Sequence, residues 1–320
     1  MNYVTSSPVL LIVFNRPEQT SQLIDALRNV KPRCIYVAAD GPRAGVPGEP
    51  ERCTAVLASL TSIDWPCTIA VRVNEINQGS ALMIPSAVDW FFDSVDSGIV
   101  LEDDCIPCTD FFVFCDAMLQ KYEDDCRVAW INGSNAGYIP STAIKSDFSF
   151  SNYAISWGWA SWRRSWKTTF PPSVVRDDAS ASLRLDLKSI PIKGLMCRIF
   201  WRQNIKYAFS INNWDFRFDY YMWRNGAMAI TPHVNLISNI GYGIEAVHGG
   251  RRDDPRGNIA TGFMNARMSP PVGMGVNFDL DSYLERNFFR VGIVNILKLT
   301  IARNFPLIRN VYRKKLKKIN

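Results

Sequence analysis

Glu102, Asp103 and Asp104 stand in a row behind the apolar run 98–101, within the stretch GIVLEDDCIPCTDFF. Buried unpaired charge is costly, so three carboxylates at the end of a strand need something to hold them there. Such a cluster can hold a metal ion, do acid/base chemistry, or cap the helix whose pattern begins near Thr109. In an extended segment Glu102 and Asp104 point one way and Asp103 the other, so two of the three can share one divalent ion. Mg2+ and Mn2+ accept carboxylate, water and phosphate oxygens together, which suits the diphosphate bridge of a nucleotide.

Further along, Asn213 and Asp215 precede a helical pattern that runs through Tyr221 and Trp223, so Asp215 reads first as a helix cap, with Asp219 four residues on. His248 sits beside Gly249, Gly250, Arg251 and Arg252 in a loop composition. It is either a solvated loop histidine or part of a lid over a diphosphate, with Arg251 ahead of Arg252 as the phosphate contact. Trp157 and Trp159 flank Gly158. An extended segment places both indoles on one side, where one can stack on a sugar ring at an acceptor wall and the other can join the core. The eight cysteines offer a single CxxC, Cys105 and Cys108, without a second pair for zinc or a thioredoxin-like setting. They read as reduced thiols, which agrees with a reducing compartment.

The elements that must position these residues alternate in period. Runs at 8–14, 34–40, 67–73 and 98–101 have strand length, and the segments between them carry apolar residues at helical spacing, as at Leu23, Ile24, Leu27 and Val30. Strand and helix in alternation predict a parallel sheet with helices on both faces. Ligands in such sheets sit beyond the carboxyl ends of the strands, which gathers Asn15, Arg16, Asp40, Gly41, residues 74–79 and the acidic triplet around one crevice. Residues 127–133 and 227–232 add strands to a less regular second half. Pro85 is expected to interrupt the helical pattern that follows residue 79.

Composition bounds the class. With 320 residues, 47% hydrophobic and 12% aromatic, the chain can bury a large core. Its net charge of +6 is uneven: residues 287–320 hold nine Lys/Arg and no acid, which leaves the rest at −3. That tail interleaves apolar and basic residues, as an interfacial segment drawn to an anionic membrane surface or as a packed C-terminal helix with a basic end. The acidic body argues against nucleic acid as a partner. No apolar run approaches the roughly 18 residues of a spanning helix, and the run at 8–14 lacks the flanks of a signal peptide. The expectation is a cytoplasmic protein, with attachment at the inner face of the membrane as one of the two readings of the tail.

The segment VLEDDCIPCTDFF resembles the Glu-Asp-Asp element of the GT-A glycosyltransferases related to N-acetylglucosaminyltransferase I. PVLLIVFNRPEQTSQLIDAL is similar to that family's opening strand-Arg-helix, IYVAAD to its second strand, and RVAWINGSNAG to the strand after the acidic motif. SWGWASWRRSW, NNWDFRFDYYMW and AVHGG resemble its later elements, in the same order over about residues 8–250. The pattern is closer still to bacterial members linked to surface polysaccharides. The element at 74–92 is less regular than in those relatives, which leaves the contact with the nucleotide open.

The resemblance implies a GT-A, Rossmann-like, mixed and mainly parallel sheet flanked by helices, with a C-terminal helical tail. It implies a catalytic domain over 1–265 and an extension over 266–320. Asp104 would ligate Mn2+ or Mg2+ on the phosphates of a nucleotide-diphosphate sugar, with a UDP-sugar as donor. Glu102 and Asp103 would face the donor sugar or ribose, Arg16 its phosphates, and Asp40 the ring N–H of the base. Asp215 would be the general base that activates a glycan or lipid-linked acceptor, giving inversion. The rivals are a non-catalytic glycan- or nucleotide-binding member of the fold, and a retaining transferase.

Overall fold

The computed structural model describes residues 3–169, 191–242, 254–265 and 267–304. The first strand, β1 (Val9–Val13), is buried at all five positions. A strand covered on both faces must be apolar throughout, which is why it reads as a continuous run and not as an alternation. α1 (Pro17–Arg28) opens on a proline, whose missing N–H falls among the donors a first turn leaves unpaired anyway, and it buries Leu23, Ile24 and Leu27 along one stripe. β2 (Cys34–Ala39), α2 (Glu49–Ser59), β3 (Thr68–Val73), α3 (Ser80–Ser94) and β4 (Ser97–Glu102) follow. α3 runs through Pro85 without interruption, contrary to the expectation from sequence. The buried stripe of Met83, Ile84, Ala87, Val88, Phe91 and Phe92 outweighs the one backbone bond that the proline removes.

The remaining elements are β5 (Cys105–Pro107), α4 (Thr109–Lys121), β6 (Val128–Asn132), β7 (Phe148–Ser151), β8 (Trp159–Trp162), α5 (Arg163–Thr169), α6 (Leu195–Ser210), α7 (Trp214–Arg224), β9 (Met228–Pro232), β10 (Ile237–Asn239), α8 (Phe278–Tyr283) and α9 (Ile293–Asn304). One sheet has the order β3-β2-β1-β4-β8-β6-β9-β7, and β5 and β10 form a separate two-stranded ribbon. β7 and β8 run antiparallel to their neighbours and the other six strands run one way. The architecture is therefore the mixed, mainly parallel α/β sheet that the alternation predicted, with helices at the C-terminal end.

β1 is flanked by β2 on one side and by β4 on the other, so the strand order reverses there. A crevice opens at such a switch point because the connections leave β1 and β4 toward opposite directions. Arg16 directly follows β1 and the acidic triplet ends β4. The core lies on both faces of the sheet. One face packs Leu23 and Ile24 of α1 with Phe111 and Phe112 of α4. The other packs Phe91 of α3 with an aromatic stack in which Trp130 and Trp159 lie 3.8 Å apart, with Trp166, Trp214 and Phe218 around them. Leu280 and Leu284 of the C-terminal region are fully buried in that same face. Among the described residues, no helix is long and apolar enough to cross a membrane.

Candidate active site

The three carboxylates separate as soon as the strand ends. β4 stops at Glu102 and residues 103–104 turn, so the alternation expected of an extended triplet does not hold. Asp103 and Asp104 instead share one guanidinium: Nη1 of Arg16 donates to Asp103 Oδ1 at 3.0 Å and to Asp104 Oδ2 at 2.9 Å. The backbone holds this arrangement from both sides, since the Asp103 N–H donates to the carbonyl of Ile12 in β1. The Ile240 N–H, just past β10, donates to the carbonyl of Asp104. Gly241 then crosses directly over the Asp104 carboxylate. A Cβ there would lie 2.1 Å from Oδ2, so no other residue fits without displacing the carboxylate.

Asp215 stands near enough to the cluster for its charge to act on Glu102. It is the second residue of α7, and the cap of that helix is Asn213, whose side chain accepts from the Phe216 N–H at 3.2 Å. The cap role is thus filled by Asn213, although Asp215 Oδ1 also accepts from the Phe216 N–H at 2.8 Å. Burial pushes the Glu102 carboxyl well above its ordinary value, and the charges of Asp104, Asp103 and Asp215 add to it. Asp103 is pushed up to about 7 by burial and by Asp104, against the pull of Arg16. Four carboxyl groups thus crowd one guanidinium, and protons on Glu102 and Asp103 offset part of the charge that Arg16 does not balance. Trp214, packed against Trp130, Trp159 and Trp166, anchors the start of α7 and so fixes where Asp215 stands.

Asp219, the competitor for the same role, is 1% exposed and accepts from the Ala154 N–H at 2.9 Å. Burial raises it well above the usual carboxylate range, and its bond is to the backbone of the segment before Trp157. It is a structural group. Trp159 is likewise 1% exposed inside the aromatic stack, which removes it from any acceptor wall. Gly158 separates it from Trp157: its φ of +58° turns the chain out of the extended path that would align the two indoles, and Ile237 packs where a Cβ would stand. Trp157 is the less buried of the two, edge-on to Tyr242 at 5.6 Å and to Phe288 at 4.9 Å.

Asp40 lies at the end of β2 and faces residues 74–79. Its carboxylate accepts from the Gly41, Gln78 and Gly79 N–H groups and from the side-chain amides of Asn74 and Asn77. A carboxylate has about four lone-pair positions, so this loop takes up its capacity. A bond from Asp40 to the ring N–H of a base would require one of these partners to leave. His248 and Arg251 lie outside the described residues, as does the end of the basic tail. The other histidine, His233, is buried between Ser149 Oγ at 2.7 Å and the Ser146 carbonyl at 2.8 Å, and burial lowers its pKa.

No family model matches the chain, and no curated protein matches it. The solved structures to which the chain is similar include these two. One is the mannosyltransferase PcManGT from Pyrobaculum calidifontis in complex with GDP-Man and Mn2+, at 14% identity and a TM-score of 0.33, covering 51% of this chain and 46% of that one. The other is HddC from Yersinia pseudotuberculosis complexed with GMP-PN, at 8% identity and a TM-score of 0.32, covering 52% of this chain and 79% of that one. The chain thus spans less than half the length of the mannosyltransferase.

Among the described residues, no three His, Cys, Asp or Glu side chains gather into a ready metal centre. The residues do fit an ion of another kind, held by one carboxylate and completed by phosphate and water oxygens, because the site carries more acid than Arg16 neutralises. Two features escaped the sequence reading. One is the segment 239–242 over Asp104, for which the only signal was a glycine-rich ISNIGYG run after a short strand. The other is Glu49, fully buried, which accepts from Asn15 Nδ2 at 2.8 Å and pairs with Arg43. That pairing holds Glu49 down to about 2. It ties the residue next to Arg16 to the loop that follows β2.

Proposed function

We propose that this chain transfers a sugar from a nucleotide-diphosphate sugar to a hydroxyl of a glycan or lipid-linked acceptor, as a metal-dependent, inverting, GT-A-type glycosyltransferase. The observation that carries the reading is the meeting at the switch point of Arg16, Asp103 and Asp104, with Asp215 in electrostatic contact with the same cluster from α7.

Departure of a nucleoside diphosphate needs its growing charge neutralised. Asp104 would hold Mn2+ or Mg2+ there, and the ion would supply a Lewis acid for the phosphate oxygens when bound. Arg16 holds Asp103 and Asp104 in place and presents its remaining donors toward the phosphates. Glu102 and Asp103 face the donor sugar; as carboxyls raised by burial, they can donate a hydrogen bond as well as accept one. Asp215 takes the proton of the attacking hydroxyl across the crevice, and attack opposite the leaving group inverts the anomeric carbon. Asp40 shapes loop 74–79 as the wall at the base end. Trp157 offers its indole at the acceptor side.

A thermal-shift series tests this. UDP, GDP, ADP and CMP are added with and without Mn2+, since a ligand that binds only the folded chain raises its melting temperature. At a hundredfold excess over Kd, binding adds about 2.7 kcal/mol, a rise of several degrees for a chain of this size. The expected result is a rise with one nucleoside diphosphate that grows when Mn2+ is present. No rise with any nucleotide in the presence of Mn2+ would overturn the reading.

A further inference from the structure

α6 and α9 pack against one another, and each leaves an apolar stripe in solvent. On α9, Ile293, Val294, Leu297 and Ile301 are exposed at the i, i+1, i+4 and i+8 positions of one face, while Ile296 and Leu299 on the other face pack onto the core. On α6 the exposed apolar residues are Leu195, Met196 and Ile199, with Leu195 at 77% exposure. Isolated exposed apolar residues need no explanation, but seven on two packed helices form a surface.

The two helices carry charges of one sign, and the nearby carboxylates Glu285 and Asp254 are taken up by the Tyr153 hydroxyl and Cys197 thiol and by Arg256 and Arg290. α6 carries Arg198, Arg202 and Lys206, and α9 carries Lys298 and Arg303, with no acid in either helix. The whole stretch 287–320 has nine Lys/Arg and no acid, in a chain whose remainder is net negative. A face shared by two copies of the chain would set these cations against each other. An anionic lipid surface complements both the apolar stripe and the basic residues. We infer that α6 and α9 form a face that docks this protein on an anionic membrane.

The face is continuous with the crevice. Trp157 touches Phe288, Arg290 bonds Asp254 at 2.9 Å, and α9 begins three residues later. Docking would therefore bring the Trp157 side of the crevice toward the lipid surface. Granting the transfer reading, that is where a lipid-linked acceptor would be presented.

The test is co-sedimentation of the full chain with phosphatidylcholine vesicles, with and without phosphatidylglycerol, and no nucleotide. Binding is expected only with phosphatidylglycerol, falling with salt, and reduced about tenfold or more in Leu297→Glu/Ile301→Glu, whose substitutions sit on exposed positions. Equal binding by parent and variant, no preference for phosphatidylglycerol, or a stable dimer that the double substitution splits would each overturn the inference. The nucleotide-induced rise in melting temperature is measured on the same variant. If it persists while vesicle binding is lost, docking and donor binding are separate properties. If vesicles bind and no nucleotide stabilises the chain, the docking face stands and the transfer reading falls.

Discussion

At the scale of single residues, the site turns on carboxylates that look alike in the sequence and differ in surroundings. Asp215 and Asp219 are one helical turn apart on α7. Asp219 is sealed against the backbone of Ala154, while Asp215 belongs to the charge cluster of the triplet. Asp215→Asn should lower kcat by about 100-fold to 10,000-fold, the range a positioned general base supplies, and leave the nucleotide-induced thermal shift unchanged. Steady-state kinetics alongside the thermal-shift series checks this; an unaltered kcat would remove Asp215 from the chemistry. Glu102, Asp103 and Asp104 were legible as a cluster from their position behind an apolar run. The alternation expected of an extended triplet was not borne out, because residues 103–104 turn and Asp103 and Asp104 share Arg16, which lies far away in the chain.

At the scale of elements, the loops after the strands matter as much as the strands. Asp40 accepts from five donors, four of them in residues 74–79, and a buried acceptor of that kind organises the backbone around it. Asp40→Ala would leave the Gln78 and Gly79 N–H groups without their acceptor, at about 1–3 kcal/mol for each that remains buried. The expected outcome is a lower melting temperature together with weaker nucleotide binding. Hydrogen exchange should show faster amides confined to Gly41 and residues 74–79. Asp40→Asn, which keeps the shape and one carbonyl acceptor, should recover part of both. If Asp40→Ala weakened nucleotide binding while leaving exchange in 74–79 unchanged, Asp40 would be a direct ligand and not the organiser of the loop. The sequence signalled Asp40 through its place at the end of a strand, but five partners converging on one carboxylate is a property of the folded loop.

At the scale of the whole molecule, the buried acids set how stability responds to pH. Asp103 and Asp281 are both pushed up to about 7, chiefly by burial, although Ser151 and Asn152 pull Asp281 the other way. The folded chain then binds protons that the unfolded chain has already lost, so their contribution to stability falls as pH rises from about 4 to about 7. Glu49 and Asp254, held down to about 2, act in the opposite sense and only at lower pH. The melting temperature of the metal-free protein should therefore drop between pH 5 and 7.5, by this part of the balance. Asp281→Asn should flatten that drop. A divalent cation bound by Asp104 together with a nucleotide should flatten the share that belongs to Asp103. Melting curves across this pH range, which rise or stay level in place of falling, would contradict the assignment.

The sequence by itself determined the parallel half of the sheet, because strands buried on both faces must be apolar throughout and helices between them must carry a stripe. It also placed Arg16, Asp40 and the acidic triplet at the carboxyl ends of those strands, since local pattern and chain order suffice for that. Only the tertiary structure decided that Gly158 parts Trp157 from Trp159. It also decided that Gly241 closes over Asp104, and that Asp219 is sealed against the backbone of Ala154. These depend on contacts between residues far apart in the chain, whose packing no local spacing encodes.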